Sequence, residues 1–354
     1  MGLVNFRVLL RKLSLSALVG AAMLVGAEIL ARIAEPGPFT LYDRSPYEEH
    51  AELHHVHRKN FSGAWDGSYY QTNARGWRGP EFEPRFAPGE LRVVALGDSC
   101  TFGKAVEDGD TWPRQLERLL REDEAAAPSV MVANLGVNGY AGKDYVNAYL
   151  SQAADTKPQI VIIGYNINDF PNVVRQVDAQ VFHNDRNLRA MFSHRWREQL
   201  GKLAMFRWFR NRYYDSNRER DFAKVEALAT EAGAEAQTSP ERMQLEEERL
   251  SKLVAACKES GAHVVLFLFP YESQVYLEQY ARGPIDVVEG LARKLGVEHV
   301  PMLEEFRAEA RRSDPPQRLF NRGDRYHPNA EGYAIVARTL KRFLDQRGWA
   351  RLPE

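Results

Sequence analysis

Cysteine is nearly missing from this sequence. Cys100 and Cys257 are the two in 354 residues, too few for a disulfide framework. No feature of the sequence supports a bond between them. Net charge is also missing: 47 basic residues against 48 acidic ones leave −1, so no overall field draws the chain to nucleic acid. No internal repeat is present. Two common signatures fail as well. Gly97 to Gly103, followed by Lys104, has five residues between the glycines where a phosphate-binding loop needs four, and Ala105 stands where Ser or Thr is required. The lipase-type Gly-x-Ser-x-Gly elbow is absent around Ser99.

What remains has ordinary globular composition, 44% hydrophobic and 27% charged, and enough length for one large domain with additions. Arg7, Arg11 and Lys12 precede an apolar run from Leu13 to Ala27, which Leu9, Leu10, Ile29, Leu30 and Ile33 extend. Residues 1–34 are therefore expected to be an amino-terminal membrane anchor. The basic residues hold the amino terminus in the cytoplasm, with the rest on the periplasmic side of the inner membrane. A signal peptide cleaved after Val25-Gly26-Ala27 is the alternative. The apolar periodicity continues past Ala27, which favours the uncleaved anchor. Glu35-Pro36-Gly37-Pro38 ends the helix.

Residues 35–90 carry many turn residues and little periodicity, and read as a linker and an extended lead-in packed on the domain. His50, His54, His55 and His57 cluster there without metal-ligand spacing, so no metal site is expected. Thr72 to Gly79 reads as a turn. Strands then alternate with helices. Strands are expected at Arg92–Leu96, Val130–Leu135, Ile160–Gly164, His263–Phe269 and Glu298–Pro301. Helices are expected near Thr111–Arg121, Lys143–Ala154, Glu241–Ser260, Ile285–Leu295 and Ala330–Gln346. This alternation implies a parallel sheet covered on both faces. Residues 171–239 break the rhythm, with Trp196, Phe206, Trp208, Phe209, Tyr213 and Tyr214 among arginines. That interleaving suits nucleic acid or a membrane surface. A helical insertion over the domain is the plainer expectation, one that governs acceptor choice rather than chemistry. An extracytoplasmic site argues against nucleic acid.

Polar residues collect where the strands end. Gly97-Asp98-Ser99 follows the first, Asn134 to Gly139 ends the second, and Asn166 to Asp169 ends the third. Asp324 and His327 lie on a loop before the last helix, where Pro328 biases His327 to an extended conformation. Ser99, His327 and Asp324 can act as nucleophile, base and orienter. The backbone N–H of Ser99, that of Gly139 and the amide of Asn168 are the oxyanion candidates.

Four ordered blocks, Gly97-Asp98-Ser99, Asn134 with Gly139, Asn168-Asp169 and Asp324-Arg325-Tyr326-His327, resemble those of the SGNH/GDSL hydrolases, over roughly Leu91 to Trp349 minus the insertion. The resemblance implies a flavodoxin-like three-layer α/β/α sandwich over residues 91–349 and ester hydrolysis or acyl transfer. It implies no metal or organic cofactor. In one departure, Asn166 stands two residues before Asn168, where the family usually has Gly, and Gly164 lies further back. The anchor together with the Thr72–Gly79 stretch is similar to a membrane-anchored bacterial subgroup, some of whose relatives O-acetylate extracellular polysaccharides. The expectation is a serine esterase acting on an acylated small molecule, glycan or lipid. The alternatives are an O-acyltransferase for cell-surface polysaccharide and a non-catalytic, membrane-tethered glycan-binding scaffold.

Overall fold

The structure, a computed structural model, describes residues 2–34, 46–65, 68–81, 89–122, 129–166, 203–206, 208–209, 212–213, 216, 240–278, 280, 282–314, 316–322, 324 and 326–351. Helix α1 (Gly2–Ala34) comes first. Its stretch Val8–Ala34 is long and apolar enough to cross a membrane.

The lead-in is more than a connection. Strands β1 (Tyr47–His50) and β2 (His54–His57) form one antiparallel hairpin, and β3 (Ser62–Trp65) and β4 (Ser68–Gln71) form another. Four-residue strands carry too little alternation to stand out in the sequence. Leu53 and Trp77 are buried with the main core, so this segment is built into the fold.

The central sheet contains β5 (Glu90–Gly97), β6 (Ser129–Gly136), β7 (Ile160–Tyr165), β8 (His263–Leu268) and β9 (Glu298–His299). Their order is β6-β5-β7-β8-β9, every pair parallel. The strands are apolar on both faces because both faces are covered. Val94 and Leu96 enter the core on one side, while Val93 and Ala95 enter the other. Helices α4 (Gly142–Ala148), α5 (Pro240–Glu259) and α7 (Gly283–Leu295) pack on the first face. Helices α3 (Trp112–Arg121), α8 (Leu303–Ala310) and α9 (Ala330–Arg347) pack on the second. Two short helices, α2 (Ser99–Phe102) and α6 (Glu272–Tyr276), follow β5 and β8. This is the expected three-layer sandwich.

The long helix expected near Lys143–Ala154 is α4 continued by a wider turn at Tyr149–Ala153 and a tighter one at Ala154–Thr156. Helices α6 and α8 were not foreseen. The insertion expected at 171–239 lies outside the described residues except for short helical pieces at 204–206, 208–209, 212–213 and 216.

The strand order fixes where a ligand belongs. From β5 the chain crosses to β6 on one side and later to β7 on the other. The carboxyl ends of β5 and β7 therefore flank the point where the winding reverses, the usual crevice of open parallel sheets. Ser99 follows β5, and Asn166 follows β7.

Candidate active site

The turn after β5 is tightly seated. A side chain at Gly97 would put its Cβ 2.1 Å from Thr101 Oγ1 and 2.7 Å from the Gly164 carbonyl. Close packing against the neighbouring strand, more than the turn itself, requires glycine there. Asp98 caps α2: its Oδ1 accepts the Cys100 N–H at 2.8 Å. Ser99 then begins the helix with only 8% of its surface exposed. Cys100 and Cys257 are both buried, and neither is in a disulfide.

His327 reaches this turn from the loop before α9. Its Nε2 lies 2.7 Å from Ser99 Oγ, and its Nδ1 lies 2.7 Å from Asp324 Oδ2. A carboxylate oxygen only accepts, so Nδ1 carries the proton and Nε2 is left to accept from the serine hydroxyl. Asp324 Oδ1 accepts the backbone N–H groups of Tyr326 and His327 at 3.0 and 3.2 Å, which curls the loop. Burial would raise the Asp324 pKa. The adjacent His327 and these hydrogen bonds outweigh it and hold the carboxyl well below its usual range. The loop is pinned by Asn321, whose amide donates to the carbonyls of Lys104 and Pro328, each at 3.1 Å. Asn329 caps α9 through the N–H groups of Glu331 and Gly332.

The oxyanion candidates fare differently. Gly139 lies on the turn after β6, with φ +83°. Asn168 lies outside the described residues. Asn166 is buried beside the nucleophile turn, and its Nδ2 donates to Asp98 Oδ2 at 3.1 Å and to Cys100 Sγ at 3.0 Å. Ser99 Oγ is 3.3 Å from the same Asp98 oxygen. Gly164 precedes Asn166 by two residues. A Cβ there would meet Thr101 Oγ1, Phe267 and Phe269 within 2.9 Å. Counted to Asn166, the Gly-x-Asn spacing of the third block is intact.

Sequence reasoning missed the grip of the lead-in on this site. Within the stretch read as a turn, Arg78 is buried at 3% exposure. Its guanidinium donates to the carbonyls of Phe102, Gly103 and Val106 at 2.9, 2.6 and 2.6 Å. It also pairs with Asp108 at 2.8 Å and lies 4.4 Å over the Phe102 ring. One side chain thus ties down the carbonyls that follow the nucleophile helix. His55 grips the other turn, where its Nε2 donates to the Asn138 carbonyl at 2.9 Å. The Tyr140 hydroxyl donates back to the His55 carbonyl at 2.7 Å. The one sequence sign was an arginine beside Trp77 between two glycines, too common a pattern to single out.

Two other histidines of the cluster, His57 and His50, serve the scaffold. His57 is buried and stacks on Phe102 at 4.7 Å. Burial and the nearby Arg78 charge push its pKa down to about 3. His50 Nδ1 accepts the N–H groups of Glu52 and Leu53 at 3.3 and 3.2 Å. Among the described residues, no group of three or more His, Cys, Asp or Glu side chains is arranged to hold a metal ion.

Among solved structures, the chain is similar to the acetylxylan esterase Axe2 of Geobacillus stearothermophilus, at 19% identity and TM-score 0.44, with 74% of this chain and 97% of that chain covered. It is also similar to LAE5, described as an alpha/beta hydrolase enzyme from the metagenome of Lake Arreo, Spain, at 19% identity, 74% and 97% coverage and TM-score 0.45. A lipase/acylhydrolase from Enterococcus faecalis follows at 13% identity, 73% and 96% coverage and TM-score 0.41. A comparison with curated proteins gives no match. Residues 95–335, running from β5 into α9 and making up more than half of the chain, match the model of the GDSL-like lipase/acylhydrolase family, and the chain belongs to that family.

Proposed function

We propose that this GDSL-family enzyme is a serine esterase working through Ser99, His327 and Asp324. The observation that carries the reading is the relay of two 2.7 Å contacts from Ser99 Oγ through the imidazole to Asp324. His327 Nε2 takes the hydroxyl proton as Ser99 Oγ attacks an ester carbonyl, then returns it to the departing alkoxide. The depressed Asp324 pKa keeps the carboxylate charged opposite the imidazolium that forms. The product of this half is an acyl-enzyme. Water activated by the same imidazole hydrolyses it, and a sugar hydroxyl in that place would make the reaction a transfer.

The developing oxyanion needs donors. The backbone N–H groups of Ser99 and Gly139 are assigned two of these roles. For the third we take Asn166 rather than Asn168. One of its amide N–H groups is fixed by Asp98, and the other faces Cys100 Sγ. Sulfur is a weak acceptor, so that second N–H is the one an oxyanion can recruit.

We assign α1 to a membrane anchor with the catalytic domain outside the cytoplasm, on the strength of Arg7, Arg11 and Lys12 ahead of the apolar run. A reporter active only in the cytoplasm, fused after Glu354, should then be silent, and strong signal would reverse the topology. For the chemistry, a fluorophosphonate probe should label purified wild type on Ser99 and leave Ser99→Ala unlabelled. Hydrolysis of small acyl esters should be lost in the same variant. Near-wild-type turnover by folded Ser99→Ala would sink the assignment, and an unreactive wild type would return the non-catalytic scaffold.

A further inference from the structure

We propose that Leu203, Trp208 and Phe209 lie in the membrane interface beside the anchor, against lipid. The proposal rests on the reading of α1 as an uncleaved membrane span. The link is Glu28. Its carboxylate accepts the backbone N–H groups of Ala204 and Met205 at 2.9 and 3.0 Å. It also pairs with Arg32 at 2.7 Å, one turn further along α1.

Helix geometry sets the depth of that contact. A hydrocarbon core of about 30 Å takes about 20 helical residues. Counted from Val8, where the apolar stretch begins, about 20 residues end just before Glu28. The charged pair Glu28–Arg32 therefore stands at the outer boundary, where a carboxylate can remain ionised. Arg11 and Lys12, near the opposite end, can extend their amphipathic stems to the inner boundary. Whatever touches Glu28 shares its depth, so Ala204 and Met205 are held at the outer interface.

The neighbouring side chains fit that place. Ala204 is fully buried, whereas Leu203, Trp208 and Phe209 are 39%, 38% and 62% exposed. Residues 204–206 and 208–209 are helical, and even a fully extended chain spans no more than about 18 Å over the five positions from Ala204 to Phe209. The apolar side chains therefore cannot leave the neighbourhood of the interface. The Arg212 guanidinium lies 5.5 Å over the Trp208 ring. Indole and arginine together suit the level where acyl chains meet phosphate. Continuity with the anchor makes the bilayer the occupant of this face, ahead of a second copy of the chain or a separate protein.

Full-length protein in lipid nanodiscs can test this with single-cysteine probes. Cys100 and Cys257 are buried, so an introduced surface cysteine should take an environment-sensitive fluorophore selectively. Probes at Phe209→Cys, Trp208→Cys and, within α1, Leu18→Cys would be compared with one at Leu150→Cys, an exposed apolar position on the sheet domain. Lipids spin-labelled near the headgroup should quench the probes at 208 and 209 more than lipids labelled deep in the chain. Aqueous iodide should quench these two probes at least fivefold less than the probe at 150. Quenching at position 18 with none at 208 and 209 would overturn the proposal while leaving the anchor intact. Shielding of 208 and 209 from both lipid and iodide would also overturn it, since protein would then cover the face. No lipid quenching at position 18 would remove the anchor itself, and the proposal with it.

Discussion

The two loops that meet at the site are held by different means. The nucleophile turn is part of the core. Asp98 and Ser99 are buried, glycine lets the turn press against β7, and Arg78 ties down the carbonyls behind it. The loop carrying Asp324 and His327 is docked from outside, through the Asn321 amide and a bridge between Phe320 and Pro328. Damage behind the nucleophile should therefore reach both stability and rate. Damage in the histidine loop should reach rate far more than stability.

The largest effect is expected in the docked loop. His327→Ala removes the base, and Asp324→Asn offers Nδ1 the wrong partner and inverts the tautomer. Each should lower kcat by about three to five orders of magnitude, and Asp324→Asn should also give up the stability that its depressed carboxyl pKa represents at neutral pH while still folding cooperatively. A cooperative loss of folding in Asp324→Asn would break the contrast between the loops. Next comes the oxyanion. Asn166→Ala should lower kcat by about two to three orders of magnitude with KM little changed, and Asn168→Ala should be milder. The reverse ranking in steady-state kinetics would move the third block two residues along the chain.

Arg78 sharpens the other half of the comparison. Arg78→Met strands buried carbonyls and the Asp108 carboxylate, which should cost about 3 kcal/mol or more of stability. By displacing the turn it should also lower kcat by about ten- to a hundredfold, with KM within about twofold. Arg78→Lys should recover part of both. A kcat untouched in folded Arg78→Met would reduce the clamp to ordinary packing. The smallest effect concerns pH. An unfolded histidine takes up a proton near pH 6.5, whereas buried His57 resists protonation until about 3. The unfolded state thus binds more protons in that window. Stability is full above about 6.5 and falls as pH drops, by up to about 2 kcal/mol at pH 5. Denaturation of His57→Gln at pH 7.5 and pH 5 should show a shallower loss than wild type.

Much of the fold was legible because a parallel sheet buried on both faces leaves unbroken apolar runs. β5, β6, β7 and β8 each stand within two residues of their expected ends. The Ser99, Asp324 and His327 contacts were also legible, since each residue sits at a strand end or loop whose chemistry shows in sequence. What could not be read is mostly what arrives from a distance. Arg78 acts on carbonyls 24 to 28 positions away, and His55 acts on one 83 positions away. Backbone acceptors leave no mark in the side-chain alphabet. The choice between Asn166 and Asn168 is likewise a question of where β7 stops, which propensity alone leaves open by a residue or two.

The bond between Ser99 and His327 spans 228 positions, and that span has a consequence for how the enzyme comes into being. Chains are made from the amino terminus. The nucleophile, its cap and the lead-in that grips it all leave the ribosome well before the base. In the proposed mechanism, until the loop ahead of α9 has emerged and docked, Ser99 is an ordinary alcohol with no group to take its proton. A chain halted before His327 lacks α9 as well, so it is without part of its core and without the imidazole together. Competence toward esters therefore marks a finished molecule.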